Sequence, residues 1–344
     1  MATVFPEKTI EQSTDGAFVR QSNYFRARFG DQPGQLPVIA GRYRLLVSTG
    51  CGWSRRQLIV RRLLGLEEVI SVGYVGRRGD DGWEFNEQPD GLDAVFKIAR
   101  LNELYRRTVP DYKGRGTVPT VADVSTGLVV TNDYHTLSID LETAWKAHHR
   151  PGAPDLYPAD LRPAIDLLNQ QLFDDVNNGP YKVLFAQSLD AARVAKEVFE
   201  ARLSDLDFRL ATRRYLFGDR LTDSDIRLFV TLASFDTNYR PRFPQELGSA
   251  KHIRDFPNLW AYARDLFATP GFVDEREKIS LGLIPDAEGN YRRGFAEGIE
   301  VTGNPLTPWL EPHRREGLGG TPITSGPGGA GTVNLWQWGA LLAA

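Results

Sequence analysis

"RYRLLVSTGCGWSRRQLIVRRLLGLEEVISVGYV", from Arg42 to Val75, changes character twice, and the order of the changes sets the fold. "YRLLVST" is aliphatic and β-branched and reads as a strand. "SRRQLIVRRLLGL" places Leu58, Ile59, Leu63 and Leu64 on one stripe opposite Arg55, Arg56, Arg61 and Arg62, the spacing of an amphipathic helix. "EEVISVGYV" returns to strand. Strand, helix and strand in this order make a βαβ unit with a parallel pair.

Downstream, the stretch from Gly76 to Gly116 contains "GWEF" and a predicted helix around "LDAVFKIARLNELYRR". "TVPTVADVSTGLVVTND" then reads as two short strands joined by a glycine-containing turn at "DVSTG". Asn132 or Asp133 is placed to cap a helix running to about Trp145. The sum is an α/β, thioredoxin-like domain over residues 40–147. Residues 1–39 show no clear periodicity apart from "NYFRARFG" and read as an arm that must pack on something else.

"KAHHRPGAPDLYPADLRP" is a proline-rich linker, centred on residues 148–160. Beyond it "LRPAIDLLNQQLFDDV", "DAARVAKEVFEARLSDLDFRL" and "DFPNLWAYARDLF" are helical, so residues 161–277 are expected to form an all-α domain. In "LTDSDIRLF" Thr222 and Asp225 have the spacing of a capping box, with Leu221 placed to staple against Ile226. Residues 278–344 read as a C-terminal extension ending in a flexible tail. Its glycines do not make a phosphate loop, since no strand precedes them and no lysine follows.

Composition narrows the function. A chain of 344 residues exceeds the roughly 250–300 at which single cores stop growing, in line with two domains. The net charge of −3 gives no electrostatic case for nucleic acid or an anionic membrane. No apolar run approaches the roughly 20 residues of a spanning helix, and "MATVFPEKTIEQSTDG" lacks a leader pattern, so a cytoplasmic location is expected. A single cysteine excludes an internal disulfide and a multi-cysteine metal site, and the five histidines form no ligand pattern, so no metal is expected. His148 and His149, adjacent in a polar stretch, are expected to face solvent.

Cys51 is that single cysteine. Alone it reads most readily as a small buried hydrophobe. Its surroundings reverse that reading. It follows the first strand, where the first helix begins and backbone N–H groups and the helix dipole favour a thiolate. Arg55 and Arg56 lie within a turn, and Trp53 follows two residues on. Val118–Pro119 falls where a thioredoxin-like domain places a cis-proline, whose neighbour would offer its N–H and C=O to a peptide-like ligand as a strand would.

With these residues in view, the chain resembles a glutathione transferase. More narrowly, "GRYRLLVSTGCGWSRRQLIVRRLLGLEE", "GWEF", "YKGRGTVPTV", "NNGPYKVLF", "RYLFGDRLTDSDIRLFVTLASFDTNY" and "FPNLWAYARDLFATPGF" resemble the Xi class, the glutathionyl-hydroquinone reductases, from about Thr14 to about Val273. The resemblance implies that Cys51 strips glutathione from a glutathionyl-hydroquinone through a mixed disulfide that a second glutathione resolves. Trp83, Arg115 and the backbone of Val118 would hold the thiol. Tyr181 and Tyr239 would lie near the sulfur and assist proton transfer, a task a phenol with pKa near 10 can perform. It also implies a homodimer, with glutathione or another small thiol as co-substrate and a quinone-like aromatic as substrate.

The chain departs from the family at three places. Cys-Pro-Trp-Ala reads Cys-Gly-Trp-Ser here, which loosens the helix start at Gly52. Glu-Ser, which receives the γ-glutamyl group, reads Asp133–Tyr134, a shorter acid and a bulkier phenol. "VDEREKISLGLIPDAEGNYRRGF" lacks the family's usual histidine and paired tyrosine, with Tyr291 nearby in sequence. Since the nucleophile stays, the expectation is retained thiol chemistry with a shifted thiol or acceptor. Two other readings stand beside it: a transferase-fold isomerase, lyase or cyclase with altered thiol use, and a non-catalytic scaffold.

Overall fold

The computed structural model describes residues 16–76, 78–291 and 303–319, with the short strand pair 325–326 and 329–330 beyond them. It divides into two compact units. The first is Val19–Ala153, and the second runs from Pro154 and includes the stretch ending at Phe18.

In the first unit a four-stranded sheet is built around β1 (Tyr43–Val47), every residue of which is buried. From β1 the chain enters α1 (Gly52–Leu64) and returns as β2 (Ser71–Tyr74), parallel to β1 with Leu45 opposite Val72. A two-residue ribbon follows, β3 (Arg78–Gly79) against β4 (Gly82–Trp83), turned by Gly82 at φ 95. Then come α2 (Leu101–Thr108), the hairpin β5 (Thr120–Asp123) and β6 (Leu128–Thr131), and α3 (Leu137–Thr143). The sheet order is β2-β1-β5-β6, with β5 antiparallel to β1. The hairpin turn follows from its sequence. The Asp123 carboxylate accepts from the N–H and Oγ of Ser125, and Gly127 takes the left-handed φ of 68 that a residue with a Cβ resists.

Four local expectations are corrected. The helix expected over "LDAVFKIARLNELYRR" forms only from Leu101. Ahead of it, Asp93 Oδ1 accepts from the N–H groups of Val95 and Phe96 at 3.0 and 2.8 Å, an alternative to helical bonding, while its Oδ2 pairs with buried Arg44. The helix expected from Asn132 or Asp133 begins at Leu137, because Asp133 closes a tighter turn onto the N–H of His135 at 3.1 Å. Arg55 and Arg56 do not form a solvated face, being 3% and 1% exposed. The Arg56 guanidinium donates to the Tyr134 carbonyl and lies 5.6 Å from the Trp53 ring centroid. His148 and His149 are half-buried, the first against Trp145 and the second with its ring nitrogen 2.8 Å from the Leu141 carbonyl.

The arm packs on this same unit. Arg26 bridges to Thr131 on the edge strand β6, Phe29 is buried against Tyr43 and Trp145, and Arg28 pairs with Asp140.

The second unit is helical, with only small β pairings. α4 (Arg162–Gln171) runs into a π turn (Leu172–Asn177) and α5 (Gly179–Leu184). The long α6 (Leu189–Leu210) follows. α7 (Asp223–Ser234) is buried along its whole length and ends in a second π turn (Phe235–Tyr239). α8 (Pro257–Ala268), α9 (Glu275–Ser280) and α10 (Thr307–Leu310) complete the set. The capping box forms: Asp225 Oδ2 accepts from Thr222 N and Oγ1 at 2.8 and 2.9 Å. The part of the extension described is docked, with Trp309 of α10 packed on Trp260 and Phe267 of α8. The glycine-rich tail lies outside the described residues apart from the short strand pair. Among the described residues, no helix is long and apolar enough to cross a membrane.

Candidate active site

At the end of β1 the chain turns sharply, with Cys51 N–H bonded to the Ser48 carbonyl at 3.0 Å. Cys51 is the N-cap residue of α1, extended at φ −98 and ψ 118. Its carbonyl accepts from Ser54 and Arg55, both at 3.0 Å, so the backbone is committed to starting the helix. Its side chain makes no capping bond, and the first turn holds no acidic residue. With no side-chain oxygen at the cap and no acid in the first turn, the positive dipole end of the helix meets no negative charge from its own first turn, a setting that favours an anion.

The thiol is half-buried, and Sγ lies 3.6 Å from the Val118 carbonyl oxygen, beside a cis Val118–Pro119 peptide. Val118 belongs to a buried cluster with Leu46, Phe85, Leu104 and Tyr105, against which Cys51, Trp83 and Tyr112 pack. The sequence-selected Cys51, Trp83 and Val118 are therefore brought together.

The loop carrying Arg115 and Val118 is held from below. Tyr105 donates to or accepts from Thr120 Oγ1 at 2.6 Å and reaches the Thr117 carbonyl at 3.1 Å, and its burial raises the phenol pKa. Asn102 joins this loop to the ribbon, bonding Asp81 through Nδ2 and the N–H of Gly116 through Oδ1. A Cβ on Gly116 would lie 2.2 Å from that Oδ1, so a side chain there would displace the Asn102 amide from this bond. Tyr112 donates to the Arg115 carbonyl at 3.2 Å, and burial pushes its pKa up to about 12, which keeps it a donor.

Asn132 links this loop to the next turn through Nδ2 and Thr117 Oγ1 at 3.0 Å. Asp133 follows, its Oδ1 accepting from Asn23 Nδ2 at 2.9 Å as well as from His135 N–H. The Tyr134 ring is buried on Trp53 at a centroid distance of 4.6 Å, with His135 at 4.4 Å. The large phenol is thus absorbed by packing beneath the helix start.

Tyr181 and Tyr239 meet in the second unit, their hydroxyls 3.1 Å apart. Tyr239 ends one π turn and Tyr181 lies in α5, four residues beyond the other; such turns are frequent at functional positions in helices. Asn177 ties one π turn to α7, donating to the Arg227 carbonyl and to Thr231 Oγ1. Gly179 lets α5 approach α6, since a Cβ there would stand 2.5 Å from the Phe199 ring. Arg242, half-buried, is coupled electrostatically to both phenols, although burial lowers its pKa overall.

The sequence shows the arm as a packing element but not its contacts at the site. Arg20 lies 5.0 Å from the Trp53 ring centroid, and Gln21 Oε1 accepts from Arg115 N–H at 3.4 Å. Phe25 N–H bonds Asn132 Oδ1, and Asn132 N–H bonds the Phe25 carbonyl, both at 3.0 Å. The amphipathic "NYFRARFG" shows that the arm packs, but "RQSNYFR" carries no local signal of these partners.

A thioredoxin-like sheet with a cysteine at its first helix and a cis-proline opposite, joined to a helical domain with a capping box at the start of α7, defines the glutathione transferase fold. The family model for the glutathione S-transferase C-terminal domain matches residues 182–265. The chain is 38% identical over 322 residues to the glutathionyl-hydroquinone reductase YqjG of Escherichia coli, covering 89% of this chain and 94% of the relative. A glutathione transferase structure from Gordonia bronchialis superimposes with a TM-score of 0.76 at 42% identity, covering 87% of this chain and 91% of that one. The Xi transferase of Phanerochaete chrysosporium gives 0.71 at 36% identity, over 79% and 90% of the two chains. The chain belongs to the Xi-class glutathione transferases, the glutathionyl-hydroquinone reductase family.

Proposed function

We propose that this protein is a Cys51-dependent reductase that uses glutathione to remove a thiol substituent from quinone-type aromatics. The observation that carries the reading is the half-buried Cys51 at an uncapped helix start, its sulfur 3.6 Å from the Val118 carbonyl. The Cys51 thiolate attacks the sulfur of a glutathionyl-hydroquinone. A sulfur–sulfur bond forms, the ring carbon–sulfur bond breaks, and the ring carbon receives the electron pair and a proton. In this reading the Tyr181–Tyr239 pair, whose hydroxyls stand 3.1 Å apart, supplies that proton. Incoming glutathione, as thiolate, then attacks the mixed disulfide and restores Cys51. The conjugate's own thiol and the incoming one leave as a disulfide, and the ring has gained two electrons.

In this reading Trp83, Arg115, Asp133 and the backbone of Val118 hold the glutathione. Tyr134 shapes the helix start through its ring. The chain works as a homodimer in a reducing, cytoplasmic setting, without a metal. The test is intact mass after exposure to oxidised glutathione, paired with turnover of a glutathionyl-hydroquinone. One glutathionyl adduct, lost together with turnover in Cys51→Ala, is expected. No adduct, with turnover unchanged in the mutant, would overturn the reading, and retained turnover in Cys51→Ser would move it to an isomerase or lyase with altered thiol use.

A further inference from the structure

Four residues of the arm reach the three segments that the proposed function assigns to the thiol. Arg20 covers Trp53 at the helix start, and Gln21 accepts from the N–H of Arg115. Phe25 exchanges two hydrogen bonds with Asn132, and Asn23 donates to Asp133. The Asn23 bond bears on the chemistry. Asp133 takes both Asn23 Nδ2, at 2.9 Å, and His135 N–H, at 3.1 Å, on the same oxygen, Oδ1. Two donors on one oxygen fix the carboxylate plane and direct the charge of Oδ2 elsewhere. Asp133 is 9% exposed, so a side chain shorter than glutamate is held in place by neighbours instead of being left to sample rotamers.

We propose that the arm is a positioning element of the thiol site, with Asn23 aiming Asp133 at the α-amino group of a γ-glutamyl thiol. This rests on the proposed use of glutathione and names the part of the thiol that Asn23 serves. Asn23 touches no reacting atom; it acts through Asp133. The γ-glutamyl ammonium is the complementary charge for a fixed carboxylate, and a thiol without that ammonium gains nothing from the clamp.

The experiment measures KM for glutathione and for its analogue lacking the α-amino group, in the full-length wild type and in Asn23→Ala, with a glutathionyl-hydroquinone as second substrate. Loss of a hydrogen bond to a charged group is expected to raise KM for glutathione about tenfold, with kcat changed less than about twofold and KM for the deaminated analogue unchanged. Equal rises for both thiols would mark a general loosening of the loop and overturn the proposal, as would no rise for either. Should Asn23→Ala fail to fold, Asn23→Asp keeps the side-chain size while opposing two carboxylates and carries the same ratio. A wild type that forms no mixed disulfide with glutathione sinks the proposed function and this inference together. A competent wild type with an indifferent Asn23→Ala sinks the inference alone.

Discussion

Two helix starts in this molecule have opposite fates. At α7 the chain supplies its own acceptor: Asp225 accepts from Thr222 N and Oγ1, from Leu216 N–H and from the Tyr262 hydroxyl, and Thr222 and Asp225 are fully buried. At α1 the cap residue is a half-buried cysteine that caps nothing, and the first turn carries no acid. The same backbone physics, four orphan N–H groups and a positive dipole end, acts at both. Where the chain supplies its own anion, the helix start is a structural joint. Where it withholds one, the positive dipole end favours a thiolate, as the proposed role of Cys51 requires.

The sharpest way to break this comparison is to remove the sulfur. Cys51→Ala is expected to lower turnover of a glutathionyl-hydroquinone by about a thousandfold or more while leaving the melting temperature nearly unchanged, as measured by steady-state rates and calorimetry. Asp225→Ala should do the reverse. Orphaning four buried donors is expected to cost about 4 kcal/mol in denaturant titrations, with activity per folded molecule preserved.

Asp225 also sets a pH dependence. Burial, opposed by its hydrogen bonds, pushes its carboxyl up to about 6. The folded protein then holds a proton that the unfolded chain, titrating near 4, has lost. Stability from this group is therefore highest below about pH 4, falls as pH rises to about 6 and is flat above, by about 3 kcal/mol in all. The difference between wild-type and Asp225→Asn stability curves should show that slope; a flat difference would mean that Asp225 titrates normally.

Next in size, Tyr239→Phe deletes one of two hydroxyls that stand 3.1 Å apart. A loss of about tenfold to a hundredfold in kcat, with KM for glutathione little changed, is expected in single-turnover and steady-state assays. The smallest effect sharpens the comparison at α1 itself. Cys51 already has the extended backbone that a residue before proline adopts, and the first helical position does not use its N–H in the ladder. Gly52→Pro should therefore raise stability by about 0.5–1 kcal/mol, seen as a small rise in melting temperature.

Much of this was legible in the chain. Hydrophobic period alone gave β1, α1 and β2, because strand and helix spacing differ and each element buries its own stripe. The Thr222–Asp225 box was legible because a cap is written within four residues. The false helix over residues 92–100 failed because one side chain, Asp93, rewired its neighbours' N–H groups while paired to Arg44 from a distant strand. The buried Arg55 and Arg56 misled for a similar reason: period placed them opposite the apolar stripe, yet both are buried, Arg56 against the Trp53 ring and the Tyr134 carbonyl.

By itself the sequence determined the two-part architecture, the place of Cys51 after the first strand and the candidates Val118, Tyr181 and Tyr239, since these depend on local spacing and on family motifs. Only the tertiary structure decided what surrounds them. The arm clamps the turns at Arg115 and Asp133 through Gln21, Asn23 and Phe25, and the Tyr134 ring folds under Trp53. Those contacts join residues about a hundred positions apart through single hydrogen bonds and ring faces. Periodicity encodes which side of an element is buried, but it carries no record of which distant donor meets which carboxylate.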